Sequence, residues 1–228
     1  MMRTFKTGIL PLDVQLGGGV PGGSVVVLLE EPGAGADVFS YHFAVEGANL
    51  GENVLYLATD DSEKDIRRHL GLYFPKYPEF TLLSLKSREE MDAKGYLRKT
   101  MYDVLSGVKT ILKNEKFDRI IVNNLTFFFT KYSQEDVISL IEFFLNDARE
   151  KDSAYLLILT RGMLDDKSEI AVKHFCDGVI ELSLREVDNE VQRRLKFIKF
   201  KGIIVPRAVM RYELTDKGVK MESMMRVI

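Results

Sequence analysis

Val25-Val26-Val27-Leu28-Leu29-Glu30-Glu31-Pro32-Gly33-Ala34-Gly35-Ala36-Asp37 is the stretch on which the fold turns. Five consecutive apolar side chains, Val25 to Leu29, read as a strand buried on both faces. Val38 to Asn49 reads as a helix. A strand, a glycine-bearing turn and a helix in that order are the setting of a phosphate-binding loop, G-x-x-x-x-G-K-[ST]. On that pattern Glu30 stands at the first glycine, Ala36 at the lysine and Asp37 at the hydroxyl residue.

The chemistry of the loop depends on those three positions. Ala36 neutralises no phosphate, and Asp37 sets a carboxylate where a polyanion would lie. One unit repulsion at about 5 Å and an effective dielectric near 20 costs about 3 kcal/mol. A carboxylate that binds the metal directly would reverse that sign. Glu30 adds a second acid, and a bulky one, at a tight turn. Gly33 and Gly35 leave two readings: a strand-to-helix turn, or a loop still offering backbone N–H groups and a helix N-terminus to an anion.

Outward from the loop, strands and helices alternate. Asn53 to Thr59 reads as a second buried strand, and Gly51 as the stop of the helix before it. Asp60-Asp61-Ser62 follows, with Ser62 as the cap of a helix through Ile66 and Leu70 that Pro75 and Pro78 end. Phe80 to Leu85, Phe117 to Asn123 and Ala154 to Thr160 read as further strands. Lys94 to Asn114 and Gln134 to Lys151 carry apolar residues at helical spacing. In the tail, Gly178 to Glu186, Gln192 to Lys199 and Met210 to Leu214 read as strands joined by short polar turns. Lys217-Gly218 then turns into a last short strand. The pattern predicts an α/β protein: a mostly parallel sheet with helices on both faces and antiparallel strands added at the C-terminal edge. Without a repeat or a low-complexity linker, residues 1–228 are expected to form one domain.

Bulk properties narrow the function classes. With 46% hydrophobic and 29% charged residues the chain is an ordinary globular one. A net charge of -2 supplies no excess of cations to displace counterions, so nucleic acid is not an expected partner, although a local basic patch stays open. The single Cys176 excludes an internal disulfide and reads as a core residue in a reducing, cytoplasmic setting. No apolar run approaches the roughly 20 residues that span a bilayer, and Met1 to Thr7 has no signal-peptide core. His42, His69 and His174 lack metal-ligand spacing, and no metal site is expected. Phe127-Phe128-Phe129 cannot all face one core. The remainder is either a contact surface or lies under a neighbouring helix. Met221, Met224 and Met225 read as core filler or as an adaptable docking tail.

Several segments together resemble the RecA-like P-loop ATPases of the KaiC type, found in archaea and bacteria. Thr7-Gly8-Ile9 with Leu12-Asp13 resembles that family's T-G-I-x-x-L-D entry, and Gly17-Gly18-Gly19-Val20-Pro21-Gly22-Gly23-Ser24 its L-G-G-G-I-P-x-G-S run. Asp60-Asp61-Ser62 resembles E-E-S, Asp177-Gly178-Val179-Ile180 resembles D-G-V-I, and Lys199-Phe200-Lys201-Gly202 resembles K-x-R-G. The segments come in the family's order and span nearly the whole chain.

The resemblance implies a RecA-type sheet and assembly into rings or filaments, with homo-oligomers or a RecA/KaiC-type paralogue as partners. It makes Glu30, Glu31, Pro32, Gly33, Ala34, Gly35, Ala36 and Asp37 a vestigial phosphate loop, and Asn123 the vestige of the second metal-holding aspartate. Asp60 and Asp61 occupy the sites of the paired glutamates that orient water, and otherwise read as first-turn helix acids. Lys199 and Lys201 match basic residues offered to a neighbouring subunit, where they would meet Glu30, Glu31 and Asp37, and otherwise read as solvated charge. The expectation is a pseudo-ATPase without a cofactor, acting in assembly or regulation. One alternative is an ATP·Mg-binding switch or weak ATPase using Asp60 and Asp61; another is a recombination-mediator-like DNA binder.

Overall fold

The computed structural model describes residues 3–86 and 104–222. One nine-stranded sheet organises it. Its parallel strands are β3 (Ser24–Glu30), β4 (Val54–Ala58), β5 (Thr81–Ser84), β6 (Arg119–Asn123), β7 (Ala154–Thr160) and β8 (Gly178–Val187). Antiparallel strands β9 (Glu190–Phe200), β10 (Met210–Thr215) and β11 (Gly218–Met221) extend one edge. The order across the sheet is β11-β10-β9-β8-β3-β7-β6-β4-β5. A small ribbon of β1 (Thr4–Phe5) and β2 (Val20–Pro21) lies beside it. This is the expected mostly parallel sheet with its antiparallel edge.

The strand period of two divides the core cleanly. Val26, Leu28, Tyr56, Ile121, Leu156 and Ile158 face one hydrophobic cluster; Val25, Val27, Leu57, Val122, Tyr155 and Leu157 face the other. Helices α1 (Leu10–Gln15), α2 (Ala36–Asn49) and α3 (Glu63–Tyr73) bury residues in the first cluster. Helices α4 (Val104–Asn114), α5 (Thr126–Lys131), α6 (Gln134–Lys151) and α7 (Asp166–Phe175) bury theirs in the second. Ser62 caps α3 as expected, its Oγ accepting the Asp65 N–H at 3.2 Å. Of the amphipathic stretch Lys94 to Asn114, residues 104–114 form α4 and the rest lies outside the described residues, as do Met224 and Met225; Met221 is core.

The tail corrects one expectation. The β8–β9 link is a short polar turn at Asp188-Asn189, both at positive φ, but the β9–β10 link runs through Ile203-Ile204-Val205-Pro206 and is neither short nor polar. Ile203 and Val205 pack against the first cluster.

At the start of β6 a cation is buried whole. The Arg119 guanidinium pairs with Glu52, donates to the Phe43 carbonyl at 2.9 Å, and lies over the Phe5 and Phe43 rings. Burial lowers its pKa, against the opposing pull of Glu52. Gly47 on α2 makes the space: a Cβ there would come within 2.6 Å of Arg119 Cδ and Nε.

Candidate functional site

From β3 the chain crosses to β4 over two intervening strands, β7 and β6. In open α/β sheets, crevices at the carboxyl ends of strands at such a switch are where ligands bind. The candidate loop lies there. Gly33 and Gly35 sit at φ +92° and +90°, a left-handed conformation that side chains with a Cβ disfavour. Gly35 leads into α2 without any side-chain cap.

The amides that open α2 are directed at the protein's own acid. Glu30 Oε2 accepts the Ala36 N–H at 3.0 Å, and the neighbouring Gly35 amide also favours the charged form of this carboxylate. The carboxylate therefore stands at the helix N-terminus, where a bound anion would be stabilised. Burial raises its pKa; the Ala36 N–H opposes that rise and the nearby Asp37 charge adds to it. Neighbouring strands close the outside of the loop. Tyr212 Oη donates to the Ala34 carbonyl at 2.8 Å, and Glu31 Oε2 accepts the Leu184 N–H at 2.9 Å. Leu184 and Leu214 lie against Gly33 and Gly35.

Asp37 and Asn123 meet. Asn123 Nδ2 donates one hydrogen to Asp37 Oδ1 at 2.8 Å and the other to Tyr56 Oη at 2.9 Å. Tyr56 Oη lies 2.8 Å from Ser40 Oγ, which donates to the Asp37 carbonyl at 2.7 Å. Tyr56 O–H is thus left to donate to Ser40, and each proton of the ring has one acceptor. Burial raises the pKa of Asp37, the Asn123 amide opposes it, and the charges of Asp61 and Asp60 add to it. Burial likewise raises the Tyr56 phenol.

Asp60 and Asp61 follow β4 at this same edge. Asp60 Oδ2 accepts from Thr59 Oγ1 at 3.1 Å, and the Asp61 carbonyl accepts from Ser84 Oγ at 2.7 Å. A second latch ties the strand ends together. Asn124 N–H donates to Thr59 Oγ1 at 2.7 Å, and its Nδ2 donates to Thr160 Oγ1 at 2.8 Å. Its Oδ1 accepts the Thr126 N–H at 2.8 Å. The peptide between Asn123 and Asn124 is cis.

Lys199 and Lys201 are far from the loop within one chain. Lys201 Nζ pairs with Asp177 Oδ1 at 2.9 Å, and Asp177 Oδ2 accepts the N–H of Val25, near the opposite end of β3 from Glu30. Seven strand residues put about 20 Å between those ends. Lys199 Nζ donates to the His174 carbonyl at 2.8 Å, and burial lowers its pKa. His42 is structural: its Nε2 accepts the Val219 N–H at 2.9 Å. Cys176 is buried, and burial pushes its thiol up to about 12, far from nucleophilic character. Phe128 is fully buried while Phe127 and Phe129 pack half-exposed on the second cluster.

The resemblance made Glu30, Asp37, Asn123, Asp60 and Asp61 vestiges of separate parts of a nucleotide site; in the structure Asp37 meets Asn123, and Glu30, Asp60 and Asp61 lie close enough for their charges to act together with that of Asp37. Sequence reasoning missed Tyr56, Ser40, Thr59, Asn124 and Tyr212, which hold this sheet edge in place. Ser40 follows Asp37 by three residues on a helix, the only one of these relations that spacing announces.

Comparison with known proteins bears on the whole chain. A family model described as the KaiC ATPase matches residues 5–225. A UPF0273 protein of Thermotoga maritima is 25% identical over 234 residues, covering 96% of each chain. The circadian clock protein KaiC2 of Synechocystis is 27% identical over 226 residues, 94% of this chain and 38% of that one. The solved structure of a KaiC-like protein from Pyrococcus horikoshii superposes with a TM-score of 0.78 at 17% identity, covering 98% of this chain and 100% of that one.

Proposed function

The chain belongs to the KaiC ATPase family, and from that premise we propose that it is a non-hydrolysing member, an assembly or regulatory partner of RecA/KaiC-type subunits. The observation that carries this reading is the Glu30 carboxylate on the Ala36 amide at 3.0 Å. The donors that would receive a phosphate already hold an internal anion.

A magnesium nucleotide does not fit the residues present. The lysine position is Ala36 and offers no charge. The hydroxyl position is Asp37, whose Oδ1 takes an amide hydrogen from Asn123, itself at the second metal-holding position. A neutral amide is a far poorer magnesium partner than a carboxylate. To enter, a triphosphate would have to displace Glu30 and lie beside Asp37, with Asp61 and Asp60 close enough to act on that same carboxyl.

Thermal unfolding with and without ATP, in the presence and absence of Mg²⁺, tests the proposal. A ligand at a hundred times its Kd stabilises by about 2.7 kcal/mol. An unchanged Tm at millimolar ATP supports a closed loop. A Mg²⁺-dependent rise in Tm would favour the ATP-binding switch that uses Asp60 and Asp61.

A further inference from the structure

A cavity of about 510 Å³ lies between α1 and the C-terminal part of α2, within the size range of small-molecule sites. One wall is apolar. Leu10 and Val14 stand four apart on α1, hence on one face of it, and are 75% and 67% exposed. Gly8, Gly17 and Gly18 supply backbone to the lining, all at positive φ. A Cβ on Gly8 would come within 3.1 Å of Glu46 Cβ, so glycine lets this segment close on α2, whereas one on Gly17 would meet nothing within 4 Å. Glu46 stands near the end of α2 and Ala36 at its start, about 15 Å apart along the helix axis, so the cavity is separate from the loop.

The rest of the lining is charged. Asp13 is only 7% exposed. Its Oδ1 accepts both the Thr7 N–H at 2.6 Å and the Thr7 hydroxyl at 2.7 Å, whereas no hydrogen bond reaches Oδ2 among the described residues. Burial raises the Asp13 pKa, against the Thr7 donors and the charges of Arg119 and Lys6. This carboxylate is short of donors. Glu46 is half-buried, and among the described residues no ion pair reaches it. Lys6 is exposed and likewise unpaired there. Two carboxylates against one ammonium leave the lining with an excess of negative charge. Close by, Arg119 and Glu52 neutralise each other.

We propose that this cavity binds a primary alkylammonium, its charged head between Asp13 and Glu46 and its chain along Leu10 and Val14. An ammonium supplies the donors that Asp13 Oδ2 lacks and offsets the excess charge. An alkyl chain covers the apolar wall that the protein leaves in water. A bare metal ion fits less well. The cavity is far larger than an ion, Leu10 and Val14 offer it no oxygen, and the described residues gather no group of three His, Cys, Asp or Glu that could hold one. An anion would meet two carboxylates. The proposal is independent of the state of the loop.

The test is titration of the isotope-labelled full chain with n-butylammonium at neutral pH, following the Gly8, Gly17 and Gly18 amides by NMR. Saturable shifts with a Kd on the order of 1 mM are expected, a modest affinity for a ligand of about five non-hydrogen atoms. n-Butanol keeps the chain and methylammonium keeps the charge; each should bind about ten-fold more weakly or worse. Glu46→Gln should raise the Kd about ten-fold without loss of thermal stability. Asp13→Asn should do the same at the inner carboxylate while keeping an oxygen for Thr7. Leu10→Ser with Val14→Ser, at exposed positions, should erase the preference for n-butylammonium over methylammonium, so the test survives if Asp13→Asn fails to fold. Nα-acetyl-lysine amide separates two sources of this chemistry: tighter binding than n-butylammonium assigns the site to a lysine side chain of a partner, equal or weaker binding to a free amine. No saturable shift in the tens of millimolar overturns the proposal. So does n-butanol or butyrate binding as tightly as n-butylammonium, or an unchanged Kd in folded Glu46→Gln.

Discussion

Acidification should loosen the C-terminal hairpin through His42. Its Nε2 accepts the Val219 N–H at 2.9 Å and so joins α2 to β11, the hairpin whose other strand carries Tyr212 against the loop. Protonation would turn that acceptor into a donor facing another donor. Burial lowers the imidazole from 6.5 to about 4, against a smaller opposing contact with the Gly8 backbone. Between those values the unfolded chain binds the proton and the folded chain does not, so stability rises with pH across that window. The contribution is fully present above about pH 6.5 and is lost as pH falls towards 4, on the order of 3 kcal/mol in all. Glu30, Asp37 and Asp13 have raised pKa values and work in the opposite direction on acidification, so the wild type alone does not isolate the effect. The assay is urea unfolding at several pH values for the wild type and for His42→Gln, which keeps an acceptor but does not titrate there. The stability difference between the two should shrink by about 2 kcal/mol or more from pH 7 to pH 4.5. A difference independent of pH would refute the reasoning.

Two further substitutions probe the site and its support. Gly47→Ala should destabilise despite the better helix propensity of alanine, because its Cβ would meet Arg119 at 2.6 Å and disturb a buried ion pair. A loss of about 2–4 kcal/mol is expected in denaturant titration, and a gain would contradict the packing. Asn123→Asp removes both amide hydrogens and sets a second carboxylate beside Asp37, with a cost of about 2–4 kcal/mol at pH 8. One of the two acids then has a raised pKa, so the variant should recover stability as pH falls; a deficit equal at pH 5 and pH 8 would count against the Asp37–Asn123 contact.

The legible parts of the fold are those in which burial leaves a pattern. Strands β3, β4, β6 and β7 are covered on both faces and show as unbroken apolar runs. Helix α6 shows its period, and its bounds agree with the expectation. Short elements were not legible. Helix α1 begins at Leu10-Pro11 with no side-chain cap, and α5 spans six residues whose three phenylalanines mask any period. Helix α7 was missed although Asp165 caps it by accepting from Lys167 and Ser168. At the site, the sequence exposed which groups stand at the loop positions. It did not expose that Glu30 turns back onto Ala36, because that contact depends on a side-chain conformation.

The most direct measurement of the loop's state is the backbone amide resonances of Gly35 and Ala36 during a titration with ATP·Mg. With Glu30 on the Ala36 amide and beside that of Gly35, both resonances should stay in place to millimolar nucleotide while shifting with the titration of Glu30 as pH falls. A saturable shift of both on adding nucleotide at neutral pH would show a phosphate in the cradle and contradict the account.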